Sequence, residues 1–139
     1  MSEGARAGTG GPTKVEGGRG LVVLAGVLGA SGVMLGAFGA HALRARISPE
    51  MLEIYRTGVL YHVLHALAVL ALAAGAASRL RRPGLTATLF AVGVAIFSGS
   101  LYILSITGVR FWGAVTPLGG LSLIAGWLSL LLPPKRARG

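Results

Sequence analysis

The chain contains no cysteine, and only four of its 139 residues are acidic. The first absence excludes disulfides, thiolate metal sites, iron–sulfur clusters and cysteine nucleophiles, and leaves the redox compartment unreadable. The second removes most carboxylate chemistry. Glu50 and Glu53 lie beside Arg56 outside the apolar runs, and no acid falls inside one. A proton-coupled multidrug exporter of the small four-span type would therefore lack its intramembrane coupling group. No glycine-rich stretch is followed by Lys-Ser or Lys-Thr, so there is no phosphate-cradling loop. Ser98 and Ser100 belong to no motif that supplies a histidine and an acid. These absences nominate no catalytic residue, and the chain is not expected to be an enzyme.

Charge is scarce in general. Charged residues make up 12% of the chain and hydrophobic ones 53%, against roughly 25% charged in soluble domains. The apolar residues run uninterrupted across whole segments, which makes the bilayer the expected solvent. The net charge of +9 does not indicate a nucleic-acid partner, because the basic residues cluster in short groups between apolar runs rather than forming a stripe among aromatics.

Residues 1–20 are rich in glycine, mix both charges and lack a hydrophobic period, so they are expected to form a disordered tail. Residues 21–43 are a 23-residue uncharged run, about 34 Å as a helix and enough to cross a hydrocarbon core of roughly 30 Å. The run is too long for the core of a signal peptide. Ser48-Pro49 supplies an N-cap and a proline at the first helical position, so a second helix starts there and crosses as residues 58–78. The basic turn Arg79-Leu80-Arg81-Arg82-Pro83-Gly84 reverses the chain. A third span covers 85–107, closed by Gly108. The fourth is assigned to 116–132, with Thr116-Pro117 again read as cap and first helical residue and Trp112 as an interfacial anchor. Residues 133–139 form a basic tail. The fold class is thus all-α: an antiparallel bundle of four transmembrane helices, 21–132, with a disordered amino tail.

The amino tail, the 79–84 turn and the carboxyl tail together carry nine Lys or Arg, whereas the two other loops carry four. The positive-inside rule places both termini in the cytoplasm of a cell membrane, in bacteria the inner membrane. The bilayer is the expected partner, with a second copy or another membrane protein as a further one. Little hydrophobic force drives helices together in lipid, so small residues that permit close approach carry the association. Gly32, Gly36 and Gly39 on span one, and Gly99 on span three, are the packing candidates.

Polar residues inside a membrane are costly and raise the question of function. His41 closes span one, while His62 and His65 fall in the first turns of span two and share a helical face. With Tyr102 and Thr116 they define a candidate polar pocket toward the non-cytoplasmic end. Three readings apply to it: structural pairing between helices, a metal or haem site at the histidines, and a transport or small-ligand site with protonatable imidazoles. Nothing in the spacing fixes the ligand geometry of a metal, so no cofactor is assigned.

Four strings occur in order: Gly36-Ala37-Phe38-Gly39-Ala40-His41, Thr57-Gly58-Val59-Leu60-Tyr61-His62-Val63-Leu64-His65-Ala66, Phe97-Ser98-Gly99-Ser100-Leu101-Tyr102, and Thr116-Pro117-Leu118-Gly119-Gly120 with Ile124-Ala125-Gly126-Trp127. Over about residues 21–132 the chain resembles a domain-of-unknown-function family of small four-span membrane proteins, the YgdD/YwdK-like and transmembrane protein 256-like group. The resemblance implies a four-span protein, in bacteria of the inner membrane, and transfers no activity.

Overall fold

A computed structural model describes residues 14–133. The tail expected over residues 1–13 and the basic tail from residue 134 lie outside them. Four long helices follow one another: α1 (Lys14–Phe38), α2 (Pro49–Ala73), α3 (Pro83–Thr107) and α4 (Phe111–Leu128). Each, with its flanking turns, is long and apolar enough to cross a membrane. Sequence neighbours pack on one another, α1 on α2, α2 on α3 and α3 on α4, while α1 only brushes α3.

Two boundary signals act as their chemistry dictates. Ser48 Oγ accepts from the Met51 N–H at 3.2 Å, with Pro49 opening α2. Gly108, at φ 69°, closes α3 with its N–H on Leu104 O at 2.8 Å.

Other boundaries differ from expectation. Helix α1 starts at Lys14, inside the segment read as disordered, because a long apolar helix propagates outward at little cost once nucleated. It ends in a wide π turn, Gly39–Leu43. Helix α2 stops at Ala73 rather than continuing to Ser78, since Gly75 adopts φ 129°, open to glycine alone, and a short 3-10 turn follows over Ala76–Arg79.

The largest departure concerns α4. Thr116-Pro117 does not begin a helix; α4 starts at Phe111 and Pro117 lies within it. A helix begun at Pro117 would leave its first N–H groups at bilayer depth without water. Starting at Phe111 extends the span to 21 residues, about 31 Å, at the loss of one backbone bond. Bilayer thickness outweighs the local preference of proline.

The core has two apolar clusters. Ala25, Val69, Leu72, Ala87, Phe90, Val94 and Leu123 fill the half where α1 begins and α2 ends. Leu43, Leu52, Tyr55 and Tyr102 fill the other. Between them lies a layer that includes Ser31, His62, His65 and Ser98.

Candidate functional site

The histidine layer exists because glycines let neighbouring backbones approach α2. A Cβ on Gly32 would meet Val63 Cγ2 at 2.9 Å and His62 Cδ2 at 3.4 Å; one on Gly58 would meet Tyr102 Cε1 at 2.9 Å. Contact this close puts α1 and α3 within reach of a single imidazole.

His62 is 6% exposed and bonds on both sides. Ser31 Oγ donates within its own helix, to Val27 O at 2.8 Å and Leu28 O at 3.1 Å. Its oxygen also lies 3.2 Å from His62 Nε2, and His62 Nδ1 lies 3.2 Å from the Tyr102 hydroxyl; both hydroxyls can donate or accept, so either neutral tautomer of His62 makes both bonds. One ring thus ties α1, α2 and α3 together.

His65 is 2% exposed. Its Nδ1–H donates to Tyr61 O at 2.7 Å, one turn back, and its Nε2 accepts from Trp127 Nε1–H of α4 at 3.1 Å. Phe90 packs on both rings, at 5.3 Å from the imidazole and 5.2 Å from the indole. These partners, a carbonyl and an indole N–H, hold His65 in one tautomer, and every ring nitrogen of the two histidines has a protein partner. Among the described residues no three His, Asp or Glu side chains converge as ligands.

Of the five pocket candidates, His62 and Tyr102 meet directly. His65 faces α4 instead. Thr116 pairs with Ser100 Oγ at 2.8 Å and also donates to Trp112 O, forming an α3–α4 contact rather than a cap. His41 is exposed and apart. It sits in the π turn, whose wider step shifts the phase of the helix after Phe38 and leaves His41 on the outer side. The depth also changes. With α2 running from Pro49 to Ala73, His62 and His65 lie at mid-helix rather than near one end.

Among the packing candidates, Gly32, Gly36 and Gly39 do face α2, Gly39 against the Tyr55 ring, whose hydroxyl donates to Leu35 O at 2.8 Å. Gly99 does not pack: a Cβ there would meet nothing within 4 Å. The close face of α3 is at Gly93, which lies against Leu123. Six residues rotate a helix by about 240°, so both glycines cannot face one neighbour.

Sequence reasoning missed the α3–α4 seam. Gly119 lies on the Phe97 backbone and Gly126 against the Phe90 ring. Between and beyond these glycines, Ser122 Oγ donates to Leu89 O at 2.8 Å and Ser129 pairs with Thr86 at 2.6 Å. The signal was present as small or hydroxyl residues at 116, 119, 122, 126 and 129, one face of a helix. Ser31 and Trp127 were missed as partners of the histidines, because nothing local specifies a contact made between helices.

Ser98 Oγ is fully buried without a hydrogen-bond partner. A buried orphan hydroxyl is costly, so Ser98→Ala is expected to raise stability by about 1 kcal/mol, measured by denaturant titration in detergent. A loss of stability would reveal a partner for this hydroxyl.

Four apolar spans, locked by buried imidazole, hydroxyl and glycine contacts, define an integral membrane helix bundle. The chain belongs to the family described as "Protein of unknown function (DUF423)", whose profile matches residues 35–120. It is 40% identical over 114 residues to the UPF0382 membrane protein YwdK of Bacillus subtilis, covering 80% of this chain and 92% of the relative. It is 38% identical over 119 residues to the UPF0382 inner membrane protein YgdD of Escherichia coli K12, covering 85% and 91%. The UPF0382 membrane protein SH2409 of Staphylococcus haemolyticus is 38% identical over 110 residues, covering 76% and 90%. No solved structure matches the chain.

Proposed function

We propose that this protein has a structural or interaction role in the membrane, without catalysis and without a resident metal or haem. The observation that carries this reading is the double engagement of both buried histidines: all four ring nitrogens of His62 and His65 are bonded to protein groups. Such rings brace helices, because their nitrogens are spent on protein partners. The name of the relative YgdD supports placement in an inner membrane. The nine-to-four division of basic residues supports cytoplasmic termini.

The interaction surface in this reading is α1, with a second copy or another membrane protein as partner. Only 11% of its most apolar stretch is buried, against 33% for α2 and α3, and Gly26 and Ala30 stand on its exposed side. Native mass spectrometry with metal analysis, on protein purified in mild detergent, tests the reading. The expected result is a chain or defined assembly without stoichiometric metal or haem. A stoichiometric metal that disappears in His62→Gln would overturn it. An alkaline phosphatase fused after Gly139 is expected to be silent, and periplasmic activity would reverse the orientation.

A further inference from the structure

At the end of the bundle where α1 begins and α4 ends, a crevice of about 650 Å³ opens between the last turns of α2, the start of α3 and the last turns of α4. It is lined by Ala68, Ala71, Leu72, Arg79, Phe90 and Trp127, among others. Its origin is local. Ala68 and Ala71 on one face of α2, with Ala74 just past its end, leave unfilled a space that larger side chains would occupy. Gly75 then ends α2 early and swings the turn Ala76–Arg79 alongside.

The chemistry of the walls is split. The floor is apolar and aromatic, and the Trp127 indole N–H is already committed to His65. The rim carries the Arg79 guanidinium, with Arg81 and Arg82 following in the same turn. Helix α3 starts at Pro83 with no side-chain cap on its free N–H groups, which adds positive potential at the same level. An apolar slot opening to a cationic rim, at headgroup depth, complements one molecule type: an acyl chain bearing an anionic head. The carboxyl tail does not complement it, because Lys135, Arg136 and Arg138 repeat the sign of Arg79. Glu50 and Glu53 are at the opposite end of α2.

We propose that this crevice is a binding site for an anionic phospholipid, its headgroup at Arg79 and one acyl chain along the alanine face of α2 against Phe90 and Trp127. The site is independent of the direction in which the bundle crosses the membrane.

The test uses the full chain in nanodiscs of equal phosphatidylglycerol and phosphatidylcholine, followed by detergent extraction and native mass spectrometry of retained lipid. Wild type is expected to retain phosphatidylglycerol preferentially. Arg79→Gln should reduce that preference about fivefold, the effect of one basic group near a surface. Ala71→Phe fills the slot from an exposed position without altering charge, and should release the lipid while leaving the thermal transition in place. Arg81→Gln, outside the slot, should change retention far less than Arg79→Gln. Equal retention of both lipids by wild type would overturn the site, and this arm needs no variant to fold. Equal effects of Arg79→Gln and Arg81→Gln would do the same, by showing diffuse attraction to a basic surface. Unchanged retention in Ala71→Phe, or displacement of the lipid by inorganic phosphate, would also remove it.

Discussion

Gly119→Val is expected to cost about 3 kcal/mol, the upper end of overpacking losses, and to separate α3 from α4. A Cβ at this position would sit 2.7 Å from Phe97 Cα and 2.8 Å from Phe97 Cβ. Backbone cannot rotate aside as a side chain can, so relief comes only by moving one helix off the other. That movement stretches the Ser100–Thr116 and Ser122–Leu89 bonds on either side of the contact. Gly99→Ala is the control: its surroundings are open, and the change should stay within about 0.5 kcal/mol. Denaturant titration in detergent measures both, and similar losses at the two glycines would contradict the seam described above.

The second large effect is at His62. His62→Leu leaves the Tyr102 hydroxyl without its imidazole partner in a buried position, a loss of about 1–3 kcal/mol. Tyr102→Phe removes the hydroxyl from the other side. If the bond ties α2 to α3, the double variant loses less than the sum of the two single losses. The expected coupling is about 0.6 kcal/mol and at most about 1.7 kcal/mol, the range for interhelical hydrogen bonds in membranes. A coupling of zero would mean that His62 and Tyr102 are merely neighbours. The cycle is more informative than either substitution, because His62→Leu also removes the bond to Ser31.

Much of the architecture was legible in the chain. Uncharged length announces a span whatever its neighbours do, because transfer into lipid is a property of each residue summed along the helix. The Ser48-Pro49 start and the Gly108 stop were equally legible, since capping is decided within a few residues. The same kind of local rule failed at Thr116-Pro117. There the cap competed with the need to keep backbone groups bonded through the full bilayer, and the span won.

What the sequence by itself determined was four membrane-crossing helices, their order, and the presence of three histidines without acid partners. Which way each helix is turned, and at what depth, was settled only by tertiary structure. It placed His62 and His65 at mid-helix, each bonded to a different neighbour, set His41 outside, and made Gly93 and Gly119, not Gly99, the close contacts between α3 and α4. The physical reason is that hydropathy is counted one residue at a time, whereas a shared face is a property of pairs. Two helices reach their relative rotation and depth only when small residues, hydroxyls and imidazoles on both are satisfied together.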